Sequence, residues 1–189
     1  MTRTIPLPSG FAQPFADAVT GDAPDFEGLR AVADALVPFG NHAGITITEI
    51  GPDRAVAEIP DQPHLTNHMA TVHAGALFLA ADIAGASAFV GAAADVLSRI
   101  DLLVLRDARS TFRRPAIGRV RAVATVDDRD MARVRATDAG GRVEVDGRAH
   151  LYDDADVLVA KFTFDYVCTV LALSTTAPPS NAPTPIAGS

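Results

Sequence analysis

Cysteine is almost absent from this chain. Its single representative, Cys168, rules out any disulfide within the chain and suits a reducing compartment, so a cytoplasmic location is expected. Basic charge is also scarce: 16 Lys and Arg stand against 23 Asp and Glu, a net charge of −7. No basic run or aromatic–basic interleaving offsets that balance, which excludes a non-specific nucleic-acid binder. The N-terminus lacks the continuous apolar core of a signal peptide and is broken by Pro6, Pro8 and Pro14. There is no internal repeat. One apolar stretch, Ala74–Ala94, is as long as a membrane span, but it is mostly Ala and Gly and carries Asp82 near its centre. An acid there costs roughly 2.5–3.5 kcal/mol on insertion scales, so a helix buried in a protein core is expected and a membrane partner is not.

What is present is hydrophobic pattern. Nearly half of the 189 residues (48%) are hydrophobic, enough for one domain with its own core. Residues 1–25, rich in Pro, Gly and Ala, read as a loosely attached arm, residues 26–173 as the domain, and the Ser/Thr/Ala/Pro-rich segment 174–189 as a disordered tail. Asp25 is placed to cap a helix carrying Leu29, Val32, Ala33 and Leu36 at helical spacing, with Pro38 and Gly40 ending it. Ile45, Ile47, Ala55, Ala57 and Ile59 alternate with polar residues around Gly51-Pro52-Asp53, a hairpin.

A polar segment, 61–72, leads into the long helix. Beyond it the period is two: a strand from Leu103 and Leu105 through Phe112 to Pro115, then Val120–Val126, Val143 and Val145, and Phe162, Phe164 and Tyr166. Turns are expected at Gly118, at 138–141 and at Asp153-Asp154. Clean alternation means one wet face per strand, so the sheet is antiparallel. The expected class is α+β, an antiparallel sheet wrapped around one long helix.

The residues that carry chemistry cluster between Asn67 and Asp82. The long helix opens at Ala74-Gly75, small residues that let a ligand reach its free N–H groups, where the helix dipole favours developing negative charge. Asp82 lies seven residues further, beside Phe78, Leu79 and Ile83, where burial should raise its pKa toward the range of a general base. Seven residues are roughly 10 Å of helix rise, so one carbonyl cannot touch both the helix start and Asp82 of one chain. Two chains related by a two-fold axis, with antiparallel helices, bring one Asp82 to the other Gly75.

The same run resembles the signature of the PaaI-like acyl-CoA thioesterases of the hot dog fold. Asn67, His73-Ala74-Gly75 and Asp82 stand at that family's spacing, in a His-Ala-Gly-Ala-Leu-Phe variant of it. Phe112-Arg113-Arg114-Pro115-Ala116-Ile117-Gly118 resembles the aromatic-basic-Pro-Ala stretch of the fold's third strand. The resemblance implies an acyl-CoA substrate, a homodimer or homotetramer, and no metal or organic cofactor. It implies Asp82 as general base or nucleophile, the Ala74 or Gly75 N–H as the donor that polarises the thioester carbonyl, and Asn67 as the residue orienting water or thioester. It departs from the pattern at Ala74, a Gly in the family, and lacks a counterpart near Leu105 of the serine that some relatives carry.

Other readings of these residues exist. His73 can orient the loop or the helix start through its ring; Arg113, Arg114 and His68 are candidate substrate contacts, the arginines for coenzyme A phosphates. His64, His68, His73 and Asp82 invite a metal, but their spacing does not put a His pair on one helix face, so none is expected. Asp82 can be a structural acid and Asn67 a loop tie. The rival functions are an acyl-CoA binding module without catalysis, for which Asp82 is dispensable, and an acyl-thioester dehydratase.

Overall fold

A computed structural model of the chain describes residues 10–21 and 23–173; the expected tail from Ser174 and the first nine residues lie outside them. Asp25 caps α1 (Phe26–Leu36), its carboxylate accepting the Gly28 N–H at 2.9 Å. The helix stops before Pro38, but Pro38 then opens a second helix, α2 (Pro38–Ala43), where its missing N–H costs nothing. Gly40 does not end anything. It is buried inside α2, and a Cβ there would lie 2.6 Å from Ile83 Cδ1. The stop is Gly44, at φ 72°, whose N–H caps the α2 carbonyls.

The hairpin β1 (Thr46–Ile50) and β2 (Ala55–Ile59) pairs Thr46 with Glu58 and Ile50 with Ala55. The long helix α3 (Ala74–Ala92) follows. Then come β3 (Ile100–Phe112), β4 (Val120–Val126), α4 (Asp128–Arg135), β5 (Gly141–Asp153) and β6 (Leu158–Val170). All six strands form one antiparallel sheet in the order β1-β2-β4-β5-β6-β3. The sheet wraps α3, which touches every strand. This is the hot dog fold, and the alternation of the strands explains it. Val120, Ala122, Ala124 and Val126 of β4 face the helix, as do Val143, Val145 and Ala149 of β5 and Phe162, Phe164 and Tyr166 of β6.

Because α3 has almost no polar surface it is covered over most of its length, leaving partly open the stripe Gly75, Phe78, Asp82 and Ala86, and its alanines keep the strands close. Gly91 marks the closest approach: a Cβ there would overlap the Gly51 carbonyl oxygen of the hairpin turn. The helix has the length and hydropathy of a membrane span, and 67% of it is buried inside the fold.

Two expectations need correction, and one element is new. The segment before α1 is not loose throughout, since Gln13–Val19 forms a 3₁₀ helix that buries Phe15 and Ala18, and Phe11 packs edge-on to Phe89 of α3. The third strand starts at Ile100 and stops at Phe112, three residues short of Pro115, because Arg113 and Arg114 turn their N–H groups to one carbonyl, that of Val159. In addition, α4 fills the stretch between the strand expected to end at Val126 and the turn expected at 138–141, where the sequence pattern predicts no element. Asp127 caps it, Asp128 and Asp130 occupy its first turn, Arg133 and Arg135 its last, and Met131 and Val134 anchor it.

Candidate active site

The start of α3 is exposed, and His73 governs it. As N-cap, His73 accepts the Gly75 N–H on Nδ1 at 2.9 Å, while its own N–H is held by the Leu65 carbonyl at 2.8 Å. Its carbonyl takes the N–H groups of Ala76 and Leu77. Among the described residues that leaves the Ala74 N–H as the helix-start donor with no protein acceptor. Of the two donors singled out in the sequence, Gly75 is therefore satisfied within its own chain and Ala74 is open.

Asn67 lies at the base of a tight loop. Its Nδ2 donates to Thr71 Oγ1 at 2.9 Å, and its Oδ1 accepts the Met69 N–H at 2.8 Å. Backbone bonds from Asn67 to Thr71 and from Ala70 to Asn67 close the loop around Ala70, which sits at φ 56°. The side chain thus ties the loop, and Nδ2 retains one proton not used in that bond. Val72 then bonds the Ala116 carbonyl at 2.8 Å, stitching the loop to the segment after β3.

Between the loop and that segment is a cleft of about 320 Å³, lined by Asn67, Ala74, Leu77, Phe112, Arg113 and Arg114 among others. It brings together four of the residues singled out in the sequence. Its walls are apolar toward the helix, and the two arginines stand at its rim. Phe78 and Phe112 both pack edge-on to Phe162, with centroids 5.7 and 5.9 Å away, and stay partly exposed. Met69 and Ile117 add exposed apolar surface nearby.

Asp82 does not line this cleft. It is half-buried two turns into α3, and burial raises its carboxyl above the usual carboxylate range. His68 is exposed on the loop and is not among the cleft-lining residues either. A larger cleft, about 410 Å³, crosses the outer face of β3–β6, where Arg109 and Arg148 stand among Asp107, Asp127, Asp146 and Asp165; none of the residues singled out in the sequence lies there. Among the described residues no three His, Cys, Asp or Glu side chains converge as a metal site.

The sequence missed two features. Ser110 of β3 pairs with Phe162 and so lies on the helix-facing side of the sheet, further along the strand than Leu105. Tyr166 lies under α3, and no motif announced it.

Several solved structures share the fold. A Pseudomonas aeruginosa protein of unknown function, described as a probable thioesterase, is 24% identical over 76% of this chain and 95% of its own, with a TM-score of 0.61. A Shewanella oneidensis protein related to the thioesterase superfamily is 20% identical over 80% and 95%, TM-score 0.61. A mutant form of the phenylacetic acid degradation protein PaaI from Thermus thermophilus is 22% identical over 69% and 98%, TM-score 0.52. No curated protein sequence matches. The family model described as "Domain of unknown function (DUF4442)" matches residues 27–168, well over half of the chain, and the chain belongs to that family.

Proposed function

We propose that this protein is a thioesterase that hydrolyses acyl-CoA at a site shared by two copies of the chain. The observation that carries the reading is the cleft that joins an open helix-start N–H, at Ala74, to a paired basic rim, Arg113 and Arg114, with apolar walls between. A thioester needs those three things: a donor for the carbonyl oxygen, cations for the coenzyme phosphates and a dry channel for the acyl and pantetheine chains.

The missing part is a base. Asp82 has the raised carboxyl suited to that task, but it stands eight residues, roughly 12 Å, along the helix from its own chain's donor, Ala74. A second copy supplies it. β3 is a 13-residue strand at the edge of the sheet, and among the described residues no further strand pairs with it, although its Asp101 carbonyl accepts the Phe11 N–H. Antiparallel pairing of two β3 strands continues the sheet and lays the two α3 helices side by side in opposite directions, bringing each Asp82 toward the other chain's Ala74. There Asp82 takes a proton from the water that attacks the carbonyl carbon, or attacks the carbon itself to give an anhydride that water then cleaves. The Ala74 N–H takes up the oxyanion charge, and the C–S bond breaks with coenzyme A leaving as the protonated thiol. His73 and Asn67 hold the helix start and the loop in place. No metal or organic cofactor takes part, and the expected setting is the cytoplasm.

Release of free coenzyme A thiol from a panel of acyl-CoA esters, read for wild type and Asp82→Asn, tests the reading. Wild type should turn over at least one chain length. Asp82→Asn should bind the same ester and lose about 10²–10⁴-fold in turnover. A protein that binds acyl-CoA without hydrolysing any of them is the non-catalytic binding module instead.

A further inference from the structure

β6 offers α3 an aromatic ladder in which Phe162 and Phe164 are followed by Tyr166, the rings of the last two 5.6 Å apart. Tyr166 is the odd member because it carries a hydroxyl into an apolar layer. The residue is 1% exposed, and its buried hydroxyl has no hydrogen-bond partner among the described residues. A phenylalanine would fill the same space without that cost, since an unmet buried hydroxyl is expensive.

Two glycines make room for this one side chain. On α3, a Cβ at Gly85 would overlap the Tyr166 hydroxyl; on β5, a Cβ at Gly147 would lie 3.0 Å from Tyr166 Cε2. Gly85 is three residues beyond Asp82, so it stands on the same helix face, one turn further along. The negative charge of Asp82 reaches Tyr166 and, after burial, is the second cause that lifts its phenol above the ordinary value. The slot therefore delivers an unused donor beneath the acid that the proposed chemistry needs.

The surroundings leave that donor few other charged partners. The buried residues that β1, β2, β4 and β5 turn to the helix are apolar. β3 adds Ser110, and β6 adds Cys168, whose thiol burial pushes up to about 12 and keeps neutral. From α1, Asp34 is engaged with the Ile47 N–H at 2.7 Å, and His42 of α2 is exposed. On Asp82 itself burial acts unopposed.

We infer that Tyr166 is a positioning residue for Asp82: its hydroxyl donates a hydrogen bond to the ionised carboxylate and fixes the rotamer from which Asp82 acts. As the side chains stand the two groups are not bonded, so the inferred bond requires the Asp82 carboxylate to turn toward the hydroxyl. Gly85 is part of the same device, because any larger residue closes the slot. The inference deepens the proposed thioesterase site and rests on that reading for its catalytic consequence, though not for the bond itself.

The test is Tyr166→Phe in the full-length protein, read first by carbon NMR titration of the aspartate carboxyls, with the Asp82 signal identified by its loss in Asp82→Asn. Losing a donor to the charged form should raise the Asp82 midpoint by about one pH unit, a tenfold gain in proton affinity. In turnover the acid limb of the pH profile should move up by the same amount, with kcat lower and KM unchanged. An Asp82 midpoint that stays put in Tyr166→Phe overturns the inference, whatever happens to melting temperature, because a merely structural hydroxyl leaves the carboxyl where it was. The NMR readout needs no turnover. A protein without thioesterase activity whose Asp82 midpoint still moves loses the proposed function and keeps this bond; an active protein whose midpoint is fixed does the reverse.

Discussion

Replacing Gly91 by alanine places a methyl group where the hairpin turn already is. The added Cβ overlaps the Gly51 carbonyl oxygen and lies 2.9 Å from Ile50 Cγ2 and 3.1 Å from the Gly51 carbonyl carbon. Two of these three atoms are backbone, so no rotamer change relieves them; either the β1–β2 turn or the end of α3 must move. Gly85→Ala in the same helix meets only side-chain atoms, the Tyr166 hydroxyl and Phe164 Cε2 at 3.0 Å. Both substitutions gain the ~1 kcal/mol that alanine has over glycine in a helix interior, so that term cancels in the comparison. Overpacking costs about 1–3 kcal/mol where side chains can shift, and more where they cannot. Gly91→Ala should therefore destabilise by ~2 kcal/mol or more net, and Gly85→Ala by ~0–2 kcal/mol. For a domain of this size 1 kcal/mol is about 2–4 °C in Tm, which calorimetry resolves easily. Tyr166→Phe should partly rescue Gly85→Ala and leave Gly91→Ala as it was. A Gly91→Ala protein as stable as wild type would refute the close packing of helix end on hairpin, and with it the wrapped core described here.

Other consequences follow from single observations. Phe15 is 3% exposed, so Phe15→Ala should lower stability by about 3–5 kcal/mol in chemical denaturation; a loss under 1 kcal/mol would return that segment to a loose arm. The Asp82 carboxyl is raised above the usual 3.8 by burial, so the folded state holds this proton more tightly than the unfolded one. Its ionisation then costs stability as pH rises from about 4 through the raised value. Asp82→Asn should accordingly be more stable than wild type at pH 7 and equal to it below pH 4, measured by denaturation at both pH values. Light scattering at micromolar concentration should give a dimer or tetramer of the 19.7 kDa chain; a monomer would leave each cleft without a base.

Much of the fold was legible because α3 and the strands obey different periods. A 19-residue helix without a polar face has to be enclosed, and strands with one apolar face are what enclose it. Short elements were harder. At Pro38 the same residue that stops one helix starts the next, and the distinction depends on Gly44 rather than on Pro38. α4 carried a legible signal in Asp127, its acidic first turn and its Arg-rich last turn, but its eight residues hold only Met131 and Val134 as buried apolar anchors. At the site, the run from Asn67 to Asp82 is local in sequence and could be found there. That Asn67 spends its amide on Thr71, and that Gly75 is claimed by His73 while Ala74 is open, depends on side-chain direction that spacing alone does not give. Tyr166 reaches the neighbourhood of Asp82 from 84 residues away through a slot made by two glycines, and nothing near it in the chain marks it out.

The central claim is that each site combines the helix start of one chain with Asp82 of the other, and subunit mixing tests it most directly. Ala74→Pro deletes the open N–H and little else, since proline suits the first position of a helix and His73 before it is already extended, at φ −65° and ψ 139°. Loss of such a donor should reduce turnover by about 10²–10³-fold, and Asp82→Asn should be comparably impaired. Mixed in equal amounts, unfolded and refolded together, the two inactive proteins should recover about one quarter of wild-type turnover, because half of the dimers are hybrids with one intact site each. No recovery above the two parent variants, with hybrids present by native mass spectrometry, would contradict the shared site.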